Sequence, residues 1–157
     1  MTIVPHALAG AAIATFTDNA WVAFLLGVLS HLVLDFIPHI EPGTFFTDPE
    51  QDKHWPRWVY GIILGEFVFL LIFLFWFGLN HDPAKTQIVF WGGLGGLAID
   101  LIDHNPFKNT TRSWPVFAQV HWLHLTFHRD LPRQYWYLGI PLAIIILGGS
   151  LWLLLGF

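Results

Sequence analysis

The sequence contains no cysteine and very few charged residues. Without cysteine the chain can form neither disulfides nor thiolate-ligated zinc or iron–sulfur sites, so any metal must be bound through nitrogen and oxygen. Charged residues make up 11% of the chain, against about 25% in soluble domains, and 55% of the residues are hydrophobic. This balance is typical of a protein surrounded by lipid. The few basic residues form no stripe that would indicate a nucleic-acid partner.

Long apolar runs predict an all-α, polytopic membrane helix bundle. A helix needs about 20 apolar residues to span a bilayer. On this basis we predict four transmembrane helices, over 20–38, 57–78, 86–102 and 135–157. Segment 5–16 is too short to span and predicts a half-length N-terminal helix, and residues 116–128 predict a short histidine-bearing helix at the membrane interface. Most of the nine tryptophans lie near the ends of apolar runs, as in an interfacial aromatic belt.

The whole chain, 1–157, is predicted to form a single membrane domain with a weak internal repeat. Segments 20–39 and 86–104 both end in an apolar residue, an aspartate, three further residues and a histidine. Both copies of this pattern stand at the same end of a predicted span. Glycines in the second copy would let helices approach closely, either within one chain or across a homo-oligomer.

The alternation of four spans places most basic residues on one side of the membrane. The connecting stretches 39–56 and 105–134 lie on this side, and so does the start of the short first helix. The same side holds six of the seven basic residues, namely Lys53, Arg57, Lys108, Arg112, Arg129 and Arg133. Positive charge accumulates on the cytoplasmic side of membrane proteins. We therefore expect a multi-pass protein in the lipid of the cytoplasmic (inner) membrane.

Histidines and aspartates concentrate on this same side in three groups. The groups are His31, Asp35 and His39; Asp100, Asp103 and His104; and His121, His124 and His128. Within each group the spacing of three or four residues puts the side chains on one helical face. Carboxylates near a helix C-terminus oppose the helix dipole, so the second group needs a neighbouring cation. His6, at the start of the first helix, is expected to face the same side.

These groups predict a metal centre on the cytoplasmic side. The predicted ligands are His6, His31, Asp35, His39, Asp100, His104, His121, His124 and His128. Because one zinc ion takes four ligands, this set suffices for two or three ions. Imidazole and carboxylate ligands suit zinc, with manganese or iron as alternatives. Asp103 is the predicted catalytic residue, acting in proton transfer. Glu66, inside the second span, is interpreted as a structural acid or as a partner that orients a ligand histidine.

Short motifs resemble a known family. Residues 5–10 contain His-x-x-x-Gly, and residues 30–39 read Ser-His-x-x-x-Asp-x-x-Pro-His. These motifs are similar to those of small bacterial membrane proteins that in turn resemble the YdjM-type family, inner-membrane proteins predicted to be metal-dependent hydrolases. The resemblance implies a membrane fold, bound metal and hydrolytic activity.

The resemblance also implies roles for particular residues. His6 corresponds to an early family histidine, and the histidines of 121–128 correspond to a late histidine-rich stretch. Asp100, Asp103 and His104 correspond to the family's Pro-Asp-x-Asp-His element. Here, however, an extra residue separates the two acids and no proline precedes them.

Four functional hypotheses follow from these patterns. The leading one is a membrane-embedded metal-dependent hydrolase acting on a phosphoester or lipid-like substrate at the cytoplasmic face, since two-metal sites often hydrolyse phosphoesters. The alternative is a protein for divalent metal binding, transport or sensing without hydrolytic activity, although transport predicts ligands strung through the bilayer. A haem protein would need paired histidines deep within the spans, and a structural interaction protein would bind no metal. No Gly-x-Ser-x-Gly element or P-loop is present.

Overall fold

The computed structural model describes residues 2–41, 57–103 and 108–156, and the protein is all-α in these ranges. The main helices are α1 (Ile3–Ala14), α2 (Ala20–Phe36), α3 (Arg57–Asn80), α4 (Pro83–Asp103), α6 (Pro115–Phe127) and α7 (Trp136–Leu155). A single helical turn, α5 (Lys108–Thr111), precedes α6, and a 3-10 turn (Arg133–Tyr135) leads into α7. The all-α prediction is confirmed.

Local signals set both ends of α2. The Asn19 side chain accepts hydrogen bonds from the backbone N–H groups of Trp21 and Val22, at 2.9 and 3.2 Å, and so caps the first turn. Pro38 disfavours a helical backbone at Ile37, which is extended, with ψ of 123°. The helix therefore ends shortly after Asp35, and the chain that follows it runs on in an extended conformation.

Within the described ranges two helices, α3 and α7, are long and apolar enough to cross a membrane, so the prediction of four such helices is corrected to two. Helix α2 has 17 residues, a length of about 26 Å, below the roughly 30 Å of a hydrocarbon core. Helix α4 has 21 residues, but its glycines and polar side chains make it less apolar than α3 and α7. Most of α3 lies on the surface and exposes large apolar side chains such as Leu71, Phe75 and Leu79.

Helices α1, α2 and α4 pack closely through glycines. A Cβ atom on Gly27 of α2 would collide with the backbone of Gly92 in α4. A Cβ atom on Gly96 of α4 would collide with the backbone carbonyl of His6 in α1. Only glycine allows backbones to approach this closely. As a result, the start of α1 meets the ends of α2 and α4, which carry many of the predicted metal ligands.

An apolar core joins α1 to the helices around it. Its buried members are Leu8, Ala11, Ala12, Phe77, Val89 and Leu154. Phe77 is fully buried within this core. Glu66 of α3 also contacts α1, because its Oε2 atom accepts a hydrogen bond of 3.0 Å from the backbone N–H of Ile3. This contact satisfies one of the free N–H groups in the first turn of α1.

Candidate metal centre

Histidine and aspartate side chains from α1, α2, α4 and α6 meet at one end of the bundle, around the buried carboxylate of Asp35. Four imidazole nitrogens lie within 3.8 Å of this carboxylate, those of His6, His31, His39 and His124. Asp35 is only 1% exposed. An uncompensated buried charge costs several kcal/mol. Asp35 therefore needs a positive neighbour, which a metal ion or a protonated imidazole would supply.

Three of these residues, His31, Asp35 and His124, direct ligand atoms at one position, and we name this group site 1. The Nε2 atoms of His31 and His124 lie 3.0 and 3.2 Å from the same oxygen, Oδ2 of Asp35. Ligand atoms bound at 2.0–2.1 Å to a tetrahedral zinc ion lie about 3.3 Å from each other. Oδ2 of Asp35 and Nε2 of His31 are buried without a hydrogen-bond partner among the described residues. The spacing and the unsatisfied atoms fit a shared ion.

Contacts on the far side of each imidazole fix the orientation of the two site 1 histidines. Nδ1 of His31 donates a hydrogen bond of 2.7 Å to the backbone carbonyl of Gly96. Because a carbonyl oxygen only accepts, the lone pair of His31 is on Nε2, which faces Asp35. Nδ1 of His124 lies 2.9 Å from Oδ2 of Asp103 and donates to it. Metal-binding histidines are commonly held in this way.

Asp100 faces site 1 from α4. Its Oδ1 atom lies 3.7 Å from Nε2 of His31 and 3.8 Å from Nε2 of His124. The Asp100 side chain is 21% exposed, whereas His31 is fully buried. His6 completes this side, since its ring stacks on that of His31 with centroids 4.1 Å apart. Asp100 is thus a carboxylate beside site 1 that solvent can reach.

A second group, which we name site 2, lies beside site 1. It consists of His39, Glu41, His128 and Asp130, whose candidate ligand atoms all lie within 4.8 Å of one another. Glu41 and Asp130 are not among the ligands predicted from the sequence. Each follows a predicted ligand histidine by two residues, a spacing that places both on the same face of an extended segment. That spacing was the signal available in the sequence.

Asp103 contacts side chains around site 1. Its Oδ1 atom lies 2.6 Å from Nη2 of Arg112 and 2.6 Å from Nδ1 of His121, while Oδ2 accepts the hydrogen bond from His124. These contacts give Asp103 a positioning role toward His124, and its catalytic role stays a prediction. Arg112 was not predicted to belong to the site, because the sequence shows it only as a basic residue of a connecting stretch.

Most of the predicted ligands lie together in the structure. The two sites and their immediate surroundings contain His6, His31, Asp35, His39, Asp100, His124 and His128. His121 contacts Asp103 and belongs to neither site among the described residues. His104 lies outside the described residues, so its role stays a prediction.

Electrostatics distinguish the histidines of the two sites. Burial lowers the pKa of His39 to about 4, so this imidazole is neutral, the form that binds metal. Burial acts on His124 in the same direction, but its hydrogen bond to Asp103 and the nearby carboxylate of Asp35 prevail and raise its pKa to about 10. In the metal-free protein, protonated His124 supplies the positive charge beside Asp35. A metal ion at site 1 would replace that proton.

Comparisons with known proteins give no match to a family model, to a curated protein or to a solved structure. The resemblance to YdjM-type proteins therefore rests on short motifs and stays a prediction. The candidate site rests on geometry alone: its buried clusters of histidine and aspartate side chains could hold a metal ion.

Proposed function

We propose that the protein is a metal-dependent hydrolase of the cytoplasmic membrane that cleaves a phosphoester in a lipid-like substrate at the cytoplasmic face. The observation that carries this proposal is the convergence of His31, Asp35 and His124 on one buried position. Each histidine is oriented by a hydrogen bond from its Nδ1 atom. Three protein ligands leave a coordination position for water or substrate, as in catalytic zinc sites. Zinc suits this ligand set, with manganese or iron as alternatives.

The apolar surface supports the membrane location. Helices α3 and α7 are long and apolar enough to cross a bilayer and expose most of their side chains. Basic residues support the orientation of the site: Arg112 pairs with Asp103 beside site 1, whereas Lys85 lies at the opposite end of α4. By the positive-inside rule, the end that carries site 1 faces the cytoplasm.

An apolar groove beside site 1 supports a lipid-like substrate. Side chains of α1, α3 and α4 line it, with Ala7 and Leu101 toward one end and Phe73 toward the other. Ala7 follows His6 in the chain and Leu101 follows Asp100, so one end of the groove adjoins the metal centre. A hydrocarbon chain in this groove would bring its headgroup to site 1.

The residues of site 1 and the neighbouring Asp100 supply groups that the proposed phosphoester hydrolysis would use. A divalent ion held there would lower the pKa of a coordinated water to about 7 and polarise a phosphoryl oxygen. Asp100, partly exposed and 3.7 Å from Nε2 of His31, is placed to accept the proton of that water. In the proposed reaction the water oxygen would form a new bond to phosphorus as the ester P–O bond breaks, and the leaving oxygen would take a proton from solvent. Asp103 keeps His124 in position throughout.

The location of the ligand atoms favours hydrolysis over transport. Both sites lie at the same end of the bundle, where α1 begins and α2 and α4 end. A transport path would instead distribute ligands along the helices. The two functions therefore make different predictions for the purified protein, since only a hydrolase releases product without a second compartment.

Hydrolysis of phosphatidic acid and of p-nitrophenyl phosphate by the purified protein in detergent tests this function. We expect activity with Zn²⁺ or Mn²⁺ and its loss with a chelator. Asp100→Asn is expected to keep bound metal but to lose about 100-fold or more in rate, because the proton acceptor is removed. Asp18→Asn, in the exposed turn between α1 and α2, is the matched control and should retain both the bound metal and the rate of hydrolysis. Metal binding without hydrolysis of either substrate would contradict a hydrolase and favour a metal-binding or sensing protein.

A further inference from the structure

We infer that the protein binds a second metal ion at site 2 and that the carboxylate of Asp35 bridges the two ions. This inference rests on the ion proposed at site 1 and does not depend on hydrolytic activity. Site 2 combines two imidazoles and two carboxylates, from His39, Glu41, His128 and Asp130. Such a mixed set matches the ligands that zinc and manganese take in proteins.

Paired backbone segments hold the ligands of site 2 in place. The segment after α2 and the segment after α6 run parallel, with a bridge between His39 and Asp130. The backbone N–H of His39 donates a hydrogen bond of 3.1 Å to the carbonyl of Arg129. In extended segments, side chains two residues apart face the same side. Glu41 therefore accompanies His39, and Asp130 accompanies His128.

The two imidazoles of site 2 face each other. Their Nε2 atoms lie 3.2 Å apart, close to the roughly 3.3 Å that separates two nitrogen ligands on one tetrahedral zinc ion. Nδ1 of His39 donates a hydrogen bond of 2.9 Å to the carbonyl of Ile37, so the lone pair of His39 is on Nε2. His39 is only 1% exposed. A buried lone pair therefore points toward His128, where an ion would lie.

The two carboxylates approach the outer part of the site. Oε2 of Glu41 lies 3.5 Å from Nε2 of His128, and Oδ2 of Asp130 lies 3.8 Å from Nδ1 of the same ring. Their side chains are 26% and 50% exposed. Site 2 is therefore open to solvent, whereas site 1 is buried. We expect the ion at site 2 to exchange more readily than the ion at site 1.

Asp35 links the two sites through its two oxygens. Oδ2 faces the histidines of site 1, while Oδ1 lies 3.8 Å from Nε2 of His39. His6 supports this orientation, with its Nε2 atom 3.3 Å from Oδ1. A shared ligand between two ions about 3.5–4 Å apart is typical of two-metal sites. Charge also favours the pair, because two divalent ions balance the carboxylates of Asp35, Asp100 and the two acids of site 2.

Titration of the metal-free protein with Mn²⁺ tests the second site. We expect the wild type to bind two equivalents and the bound ions to lose the electron paramagnetic resonance signal of isolated Mn²⁺, because ions this close couple magnetically. The variant Glu41→Gln with Asp130→Asn should bind one equivalent and show the isolated signal. The control, Asp18→Asn with Asp82→Asn, removes two exposed acids outside both sites and should behave as the wild type.

The outcomes separate this inference from the proposed function. A single equivalent in both the wild type and the site 2 variant overturns the second site, and so do two equivalents in that variant. If the wild type binds two equivalents of Mn²⁺ but hydrolyses neither substrate, the second ion is supported and the hydrolase is contradicted. If the wild type binds one equivalent and hydrolyses a substrate, the hydrolase is supported and the second ion is contradicted. If the double variant does not fold, His128→Asn removes an imidazole from site 2 and is expected to give the same loss of one equivalent.

Discussion

The Nδ1 atom of His124 lies 2.9 Å from Oδ2 of Asp103, on the side of the imidazole that faces away from Asp35. This hydrogen bond joins α6 to the end of α4 and directs Nε2 of His124 toward site 1. Arg112 holds the other oxygen of Asp103, with Nη2 2.6 Å and Nε 3.0 Å away. The chain from Arg112 through Asp103 to His124 therefore determines how α6 contributes to the metal centre.

Replacing Asp103 with asparagine should weaken metal binding without removing a ligand. Loss of the carboxylate that orients a ligand histidine typically lowers metal affinity about 10- to 100-fold. Competition with a zinc chelator measures this change, and circular dichroism checks that the helices remain. Arg112→Gln should weaken binding less, because Arg112 is 30% exposed and acts through Asp103. Wild-type affinity in Asp103→Asn would rule out the positioning role.

The glycine packing of α1 against α4 predicts a difference between two alanine substitutions. A Cβ atom at Gly96 would collide with the carbonyl of His6, whereas a Cβ atom at Gly148 of α7 would meet no atom within 4 Å. Overpacking typically costs about 1–3 kcal/mol. Gly96→Ala should therefore lower both the thermal stability and the metal affinity in detergent, while Gly148→Ala should lower neither. Equal melting temperatures for the two variants would show that α1 and α4 are not in backbone contact.

Glu66 is expected to act on stability and not on metal binding. Its Oε2 atom accepts a hydrogen bond from the N–H of Ile3, at the start of α1. Glu66→Leu removes this acceptor and should destabilise the protein by about 1 kcal/mol, a usual cost of losing a helix cap. Glu66→Gln retains an oxygen acceptor and should be close to the wild type. Thermal unfolding and metal analysis of both variants provide the test, and metal loss from Glu66→Gln would place Glu66 in the metal centre.

The groove predicts that filling it slows hydrolysis of a lipid substrate but not of a soluble one. Leu97 lines the groove, and Leu97→Trp should fill part of it. We expect kcat/KM for phosphatidic acid to fall about 10-fold or more, since each buried CH₂ contributes about 0.8 kcal/mol to binding. Hydrolysis of p-nitrophenyl phosphate should be unchanged. Ile144→Trp, at an exposed position on α7, is the control. An equal fall for both substrates would show that the groove does not hold the lipid chain.

Apolar run lengths and turn residues predicted the helices well, because these signals are local. Arg57 begins α3 as expected, and Asn19 and Pro38 bracket α2. The number of helices able to cross a membrane was overestimated, because run length alone does not show where α2 stops or how far glycines lower the apolar character of α4. Backbone contacts between these helices depend on glycines distant in sequence.

The candidate site was predicted in part. Histidines and aspartates at helical spacing, such as His31 with Asp35, stand out in the sequence because one helix presents them together. Glu41 and Asp130 do not stand out, because they lie on extended segments whose pairing joins residues about 90 positions apart along the chain. The contact between Asp103 and Arg112 depends in the same way on the course of the chain between α4 and α6.

Zinc content of the purified protein tests site 1 most directly. His31 and His124 lie on different helices, yet both bring Nε2 within 3.2 Å of the same oxygen of Asp35. Compared with the wild type, His31→Ala and His124→Ala should each contain one equivalent less zinc. His81→Ala, which removes a histidine stacked on Phe77 outside both sites, should match the wild type. Wild-type zinc content in either site 1 variant, or no zinc in the wild type after incubation with the metal, would contradict a shared ion.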